Sequence, residues 1–544
     1  MASAPDRRNF LKGAAAGGIG VAAQALGIAS WERAAHAARL ICDDTSWGNL
    51  VGNVDGWTCS NHPGFKILEI YLAGGASQWE TLWLPGNGGG VPGFTAHGMG
   101  SKDLGLVNLV WTTNRDKFPC NMPDLPSSAR EAHFFAAQSD GGRIYWGAPA
   151  KPIYSRPDIL SRCRMVTQYH DLMPHEAAIP YCLTGLMLGN PRMAGTGAAV
   201  ERRSRVANPS QLLPSSYVLH SGLGFAPLAY PPAATTGAHP GSSRPLVIQV
   251  DTNDNFVDNL QRNGITAESE DLLLALRHEY RDRLRFKGIG DPVRSAGFAG
   301  YWTAAELLKN APNLKALFEN NLLVIDQNVA VCPTHPTARP DGSLPGTKTM
   351  LRAAASLLSP SGPARYVCVI DSGRAGVYDT HGSDAMTHLH VLRTCANFYD
   401  VLKHLADIIY HPVSNPRGTL KLDDTMVVIS TEFGRTNLVN NSNGRDHWTT
   451  GYVSTFIGGP IAAGTGASIR GAIERSGPNE GTTVATHRYS PTDVRGAMLL
   501  AAGIDPFADG NFRVSDFSDA LRESIGVDAE KDIRKRLRSW ILGL

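Results

Sequence analysis

The sequence predicts an α/β protein with a mostly parallel central sheet, and three observations carry that prediction. Residues 66–72, 365–370 and 426–430 are strongly apolar runs, as expected for strands that are covered on both faces. Helical segments lie between them, and the clearest, 391–409, carries one apolar stripe at the helical period. Strand, helix and strand at this spacing form right-handed β-α-β units, whose strands lie parallel.

Local signals place several further elements along the chain. Pro174, His175 and Glu176 are suited to the first turn of a helix, and Ser490 with Asp493 forms a capping-box pattern at the start of another. The polar, small-residue segment 191–216 is predicted to form a hairpin or excursion. The Pro/Ala/Gly-rich segment 226–243 is predicted to be a linker.

The amino-acid composition limits the classes of protein to which this chain can belong. The 544 residues are 42% hydrophobic and 18% charged, which is ordinary for a folded protein, and 57 Gly with 34 Pro predict loop-rich insertions. The net charge is only +2, and no basic stripe alternates with aromatic residues, so nucleic acid is not an expected partner.

The N-terminus is predicted to carry an export signal. Residues 6–12 read DRRNFLK, which resembles the twin-arginine motif, and an Ala/Gly-rich apolar run and an A-x-A site at 35–37 follow. A membrane anchor is the alternative, but the run is short and Gly-rich for a span of about 20 residues. We therefore predict a bacterial protein that the twin-arginine machinery exports to the periplasm or medium, with no stable membrane span.

These boundaries give the domain organisation. Residues 1–37 are predicted to be the signal peptide and 38–64 an N-terminal extension. Residues 65–544 are predicted to form a single domain with an insertion around 186–320.

The eight cysteines do not predict a zinc site. No C-x-x-C pair occurs, so a cysteine-ligated zinc is not expected. Cys42 and Cys59 bracket a short polar segment and are the best candidates for a disulfide in an oxidising compartment. Cys368 and Cys395 lie in apolar runs and are predicted to be buried thiols.

Acidic and histidine residues gather where the predicted strands end. The clusters are 75–80, 379–381 and 432–447, with 171–176 as a fourth candidate. In an open α/β sheet, the residues that bind ligands lie at the carboxyl ends of the parallel strands. Carboxylates with imidazoles suit zinc, manganese, iron or calcium better than copper, and such a metal would activate water or polarise a phosphoryl or sulfuryl oxygen.

Each of these residues also has a structural interpretation. Asp379 and Asp446 could be turn residues, and His381 and His447 could be satisfied by the backbone. Arg435 could be the ion-pair partner of Glu432 instead of holding a substrate oxyanion. The metal prediction therefore rests on three clusters at equivalent strand ends.

Five short motifs together resemble a known family. They are GGASQ at 74–78, YDTHG at 378–382, TEFGRT at 431–436, GRDHW at 444–448, and the segment from PTDV to GIDP at 491–506. Their order is similar to the signature series of the DUF1501 family, exported bacterial proteins that resemble the sulfatase/alkaline-phosphatase superfamily. The resemblance spans roughly 65–510.

The resemblance implies a fold and a site. The fold would be an alkaline-phosphatase-like three-layer α/β/α sandwich with a divalent metal, zinc, manganese or calcium, above the sheet. The implied ligands are Glu80, Asp379, His381, Glu432 and His447. Asp446 would be a catalytic residue, a ligand or a residue that contacts a ligand, and Arg435 or Arg445 would bind the substrate.

One position departs from the superfamily pattern. Related hydrolases carry a Ser, Thr or Cys-derived nucleophile shortly before a Thr-Gly pair, here Thr184-Gly185, and the position holds His175. His175 could be a ligand, a nucleophile, a general base or a structural residue. The leading prediction is an exported metal-dependent hydrolase acting on small-molecule or glycan phosphate or sulfate esters. The alternatives are a non-catalytic metal-containing binding or assembly protein on the same scaffold and a carbohydrate-modifying transferase.

Overall fold

The structure is a computed structural model that describes most of the chain from residue 64 onward. The described ranges are 64–85, 133–136, 143–146, 148–208, 211–221, 226–237, 244–253, 255–256, scattered positions within 269–279, 311–318, 320–325, 346–373, 376–381, 389–437, 440, 444–461, 463–464, 466–476, 483–507, 511–522 and 529–543. The predicted signal peptide and the predicted Cys42–Cys59 pair lie outside these residues.

The strands of the described residues build one large sheet and three small ones. They are β1 (Lys66–Leu72), β2 (Leu84–Pro85), β3 (His133–Ala136), β4 (Arg143–Trp146), β5 (Cys163–Gln168), β6 (Ser216–His220), β7 (Leu246–Gln249), β8 (Tyr366–Asp371), β9 (Thr425–Thr431), β10 (Gly434–Arg435), β11 (His447–Trp448), β12 (Tyr452–Gly458), β13 (Ser468–Arg470), β14 (Ile473–Arg475) and β15 (Thr483–Ala485). The large sheet has eight strands in the order β13-β5-β12-β9-β1-β8-β6-β7. Only β12 runs against its neighbours β5 and β9, so the sheet is mostly parallel, as predicted.

The three apolar runs that predicted the fold are β1, β8 and β9, and they lie side by side at the centre of the large sheet. All residues of these three strands are buried, which explains why their sequences lack a polar face. The segment predicted as an insertion, 186–320, contributes β6 and β7 to the same sheet.

The helices of the described residues lie on both faces of the large sheet. They are α1 (Lys151–Tyr154), α2 (Pro157–Leu160), α3 (His175–Thr184), α4 (Thr196–Ala207), α5 (Ala226–Ala234), α6 (Ala311–Leu317), α7 (Thr347–Leu357), α8 (Leu389–Ile408), α9 (Pro491–Ala501) and α10 (Ala529–Arg536), followed by a π-helical turn (Leu537–Leu542). Within these ranges, no helix combines the length and apolar character that crossing a membrane requires.

Alternating side chains of β1 are buried in two different hydrophobic cores. Leu68 and Ile70 belong to a core that includes residues of α7 and α8, whereas Ile67 and Tyr71 belong to a core that includes residues of α3 and α9. The period of two along a strand sends successive side chains to opposite faces. The sheet is therefore packed on both sides.

Two segments differ from their predicted structure because burial outweighs local propensity. Segment 191–216, predicted as a hairpin or excursion, contains helix α4. Segment 226–243, predicted as a linker, begins with helix α5, although Pro231 and Pro232 lie inside it. Proline removes a helical hydrogen bond, but Tyr230, Ala233 and Ala234 of α5 are buried in the second core, and this burial favours the helix.

Other local predictions are confirmed. Helix α3 begins at His175 with Pro174 as its N-cap, and α9 begins with the Ser490–Asp493 capping box. Cys368 and Cys395 are buried free thiols, and burial raises the pKa of each well above its ordinary value.

Candidate metal centre

The candidate site lies beyond the carboxyl ends of the central strands. The turn after β1 brings Gly74, the loop after β8 brings Asp379 and His381, and β9 leads into Glu432. His175 enters from the first turn of α3, and β11 places His447 opposite Arg435 of β10. Residues far apart in sequence therefore meet at one edge of the sheet, as its parallel topology requires.

Three histidines and one aspartate form a compact group of possible metal ligands. One ligand atom from each of His175, Asp379, His381 and His447 lies within 4.8 Å of all the others. Oδ1 of Asp379 lies 3.1 Å from Nε2 of His381 and 3.8 Å from Nε2 of His447, and its Oδ2 lies 3.6 Å from Nε2 of His175. Imidazole nitrogens and a carboxylate make a donor set that fits a first-row divalent metal.

The far side of each imidazole ring contacts an oxygen acceptor. Nδ1 of His175 lies 3.0 Å from Oε1 of Glu432, and Nδ1 of His381 lies 3.2 Å from Oδ1 of Asp446. Nδ1 of His447 lies 2.9 Å from the carbonyl oxygen of Met173. Metal-binding histidines in general donate their second N–H to a carboxylate or carbonyl in this way.

These acceptors fix which nitrogen of each ring carries the proton. A carbonyl or an ionised carboxylate only accepts hydrogen bonds, so each Nδ1 donates and each Nε2 of a neutral ring presents a lone pair. Nε2 of His381 and Nε2 of His447 are nevertheless only 2.8 Å apart. Two facing lone pairs repel, so this contact is stable only with a cation between the rings, either a proton or a metal ion.

The charges of the group support binding of a cation. Although burial opposes ionisation of Asp379, its contacts with His175, His381 and His447 hold its pKa well below the ordinary range. Burial lowers the pKa of His175, but its contacts with the carboxylates of Asp379 and Glu432 outweigh this effect and raise that pKa to about 9. The pKa of His381 is raised by its hydrogen bond to Asp379, whereas burial lowers that of His447.

The ring of Phe433 covers one side of the group, and another side is exposed to solvent. The ring of Phe433, which is fully buried, lies 4.2 Å from the ring of His447 and 4.8 Å from that of His175, centroid to centroid. The side chains of His381 and Asp446 are 45% and 55% exposed, whereas that of His175 is only 13% exposed. A small ligand from solvent can therefore approach the group past His381 and Asp446.

The comparisons with known proteins identify the family. The family described as protein of unknown function (DUF1501) matches residues 160–522, which is more than half of the chain. The chain belongs to the DUF1501 family. No curated protein matches it. The DUF1501 match contains all four residues of the ligand group, while Glu80 and strand β1 precede it.

Arg435, predicted to bind substrate, instead links three segments of the candidate metal centre. Its fully buried guanidinium donates to Oδ1 of Asp379 at 2.7 Å, to the carbonyl oxygen of Gly75 at 2.7 Å and to that of Gly74. It also donates to the carbonyl oxygen of Arg445 at 3.0 Å. The carboxylate that Arg435 pairs with is thus Asp379 and not Glu432.

Glu80 and Arg445 are brought together, but they are not part of the ligand group. Nε and Nη2 of Arg445 each lie 2.7 Å from Oε1 of Glu80, and both side chains are fully buried. Glu80, predicted as a ligand, is therefore the partner of Arg445. Arg445, predicted to bind substrate, is turned away from solvent.

Glu432 and Asp446 lie behind the histidines as hydrogen-bond acceptors. His175, whose role the sequence did not decide, is the fourth member of the compact group of possible ligands. Two contacts of Glu432 were missed: Tyr230 donates its hydroxyl to Oε1 at 2.6 Å, and Nε2 of His170 lies 2.6 Å from the Glu432 carbonyl oxygen. Tyr230 lies in the Pro-rich segment that resembled a linker, so no local pattern indicated it. His170 follows β5 and had only its position after a strand as a signal.

Proposed function

We propose that this protein is an exported metal-dependent hydrolase of phosphate or sulfate esters. The convergence of three Nε2 atoms and one carboxylate, each ring held from behind by an oxygen acceptor, is the observation that carries the proposal. Zinc or manganese is favoured over calcium, because calcium takes oxygen ligands and three of these four are imidazoles.

The protein groups have distinct tasks in this proposal. When bound, the metal would supply Lewis acidity, which activates water or polarises the ester oxygen. His175, Asp379, His381 and His447 would hold it, and Asp446, which is bound to His381 and Asn440, would orient the His381 ring at the open side. Burial opposes ionisation of Asp446, but these two hydrogen bonds lower its pKa, so it remains an acceptor at neutral pH.

The ester class and the finer fold come from the superfamily resemblance. Helices on both faces of a mostly parallel sheet are compatible with an alkaline-phosphatase-like sandwich, and a metal above the strand ends is where such a fold would carry it. The N-terminal twin-arginine pattern supports export to the periplasm or medium. The predicted substrates remain small-molecule or glycan esters.

The test combines metal analysis with turnover. Purified mature protein should contain about one equivalent of metal and should hydrolyse aryl phosphates or aryl sulfates. His381→Ala and His447→Ala should lose both properties. His404→Ala is the matched control, since His404 also contacts two carboxylates, Asp400 and Asp407, but lies on α8 outside the group. Metal-free wild-type protein, or full activity in both site variants, would refute the proposal.

A second candidate is a binding or assembly protein that uses the metal without catalysis. Arg435 and Arg445, the groups expected to hold a substrate oxyanion, are both fully buried and bound to protein acceptors. Stoichiometric metal with no turnover across phosphate, sulfate and carboxylate esters would favour this candidate.

A further inference from the structure

We propose that Tyr230 and Glu432 are a positioning pair that fixes the ring of His175 and thereby sets the metal affinity of the site. The inference rests on the metal centre of the proposed function, although it does not depend on the reaction that the centre performs. It assigns a role to helix α5, none of whose residues belongs to the ligand group.

One oxygen of Glu432 collects three donors. Oε1 lies 2.8 Å from the amide nitrogen of Gly74, 2.6 Å from the hydroxyl of Tyr230 and 3.0 Å from Nδ1 of His175. The Gly74 amide can only donate, so Oε1 is an acceptor and the proton of the third contact belongs to Nδ1 of His175. Nε2 of His175 is then the nitrogen that faces Asp379.

Glu432 is suited to orienting the His175 ring because its carboxylate has no access to solvent. Its side chain is fully buried, and a buried carboxylate requires protein donors for its charge. Oε1, the oxygen nearest the histidine, already has its three donors. Glu432 therefore lies behind His175 as an orienting acceptor, and His175 faces the other possible ligands.

Tyr230 is a fixed donor for the same reason. It is fully buried, and its ring packs against that of Tyr71 with centroids 5.6 Å apart. Burial, followed by the neighbouring charge of Glu432, raises the pKa of Tyr230 well above its ordinary value, so the hydroxyl keeps its proton. Loss of this hydroxyl would leave Oε1 of Glu432 with fewer donors and free the carboxylate to rotate away from His175.

Metal affinity measured by chelator competition tests the pair, with Co²⁺ as the probe and its visible absorption as a second readout. Glu432→Gln should weaken Co²⁺ binding by roughly 10–100-fold, the range typical when the hydrogen-bond partner of a metal-binding histidine is removed. Tyr230→Phe should weaken it by a smaller factor of about 3–10. Both variants should also change the Co²⁺ absorption spectrum, because the orientation of one ligand ring changes.

Tyr366→Phe is the matched control. Tyr366 is a buried tyrosine that donates to a buried glutamate, Glu69, at the same 2.6 Å distance, away from the ligand group. Tyr366→Phe should lower the free energy of unfolding in the same manner as Tyr230→Phe, while Co²⁺ affinity and the Co²⁺ absorption spectrum remain unchanged. Tyr230→Phe keeps the test informative even if Glu432→Gln does not fold.

The outcomes separate this inference from the proposed hydrolase. Unchanged Co²⁺ affinity and spectrum in folded Tyr230→Phe would overturn the positioning pair even if the wild type hydrolyses esters. The expected order of affinities in a protein without turnover would support the pair and refute only the hydrolase.

Discussion

Arg445 and Glu80 form an ion pair that is closed off from solvent, with both side chains fully buried and two nitrogens of the guanidinium 2.7 Å from one carboxylate oxygen. Arg445 also donates from Nη1 to the carbonyl oxygen of Thr436 at 2.6 Å. The pair links the turn after β1 to the loop that precedes His447. We infer that the pair stabilises the packing of this loop against the turn.

Replacing Glu80 tests that role. Glu80→Ala would leave the charge of Arg445 buried without its carboxylate, which should lower the free energy of unfolding by about 3–5 kcal/mol. Metal content should stay at the wild-type value, because Glu80 is not in the ligand group. Urea unfolding and metal analysis measure the two effects separately.

Asp519→Ala is the control for this experiment. Asp519 also pairs with an arginine, Arg522, but its side chain is 97% exposed, so its loss should not change stability measurably. Loss of metal from Glu80→Ala at unchanged stability would contradict the ion-pair role and restore Glu80 as a ligand.

Metal removal should lower the unfolding temperature. A ligand that binds only the folded state stabilises it by RT ln(1 + [L]/Kd), which is about 2.7 kcal/mol at a free metal concentration of 100 Kd. Chelator-treated wild type should therefore unfold at a lower temperature than metal-loaded protein. In His447→Ala the two curves should coincide, whereas His404→Ala should keep the difference. A difference that persists in His447→Ala would place the stabilising metal elsewhere.

Much of the fold could be predicted because its signals are local. β1, β8 and β9 are apolar runs, and the stripe at 391–409 identified α8, which ends at Ile408. Helix α5 could not be predicted, since its composition, APLAYPPAA, is that of a linker. Only its packing in the second core shows why the segment is helical.

The site was predicted in part for a similar reason. Asp379, His381 and His447 follow strands that the sequence located, so their convergence followed from parallel topology. The pairing of Glu80 with Arg445 spans 365 positions and depends on how two loops pack. No local pattern states which of two carboxylates, Glu80 or Glu432, faces a metal and which faces an arginine or a histidine.

A methyl group at Gly75 should disturb the candidate metal centre by a steric clash. Gly75 has φ +76°, and an added Cβ would lie 2.4 Å from the ring of Phe433, which packs under His175 and His447. Gly75→Ala should therefore combine left-handed strain of roughly 1–2 kcal/mol with a clash of about 1–3 kcal/mol. Thermal unfolding and Co²⁺ affinity should both decline.

Gly189 supplies the control for strain without a clash. It has φ +87°, and no atom lies within 4 Å of an added Cβ. Gly189→Ala should show only the strain contribution and normal metal affinity. Equal effects of the two substitutions on stability and on Co²⁺ binding would mean that the contact with Phe433 has no influence on the site.

Asp371 should make stability fall as pH rises from about 4 to 6. Burial raises the pKa of this carboxyl to about 6, above its ordinary 3.8, even though hydroxyls of Thr347 and Tyr378 donate to it at 2.6 and 2.8 Å. Between these values the unfolded chain releases a proton that the folded protein retains, which lowers the free energy of unfolding by up to about 3 kcal/mol. Above pH 6 both states are ionised and the effect is constant. Asp371→Asn, which keeps an acceptor for Thr347, should remove the Asp371 contribution to the slope in urea titrations at pH 3.5–7.5. It should leave the similar contribution of Asp493, whose pKa burial also raises to about 6. Asp519→Asn at the exposed control position should follow the wild type. Parallel curves for the wild type and Asp371→Asn would show that the buried carboxyl ionises with the same pKa in both states.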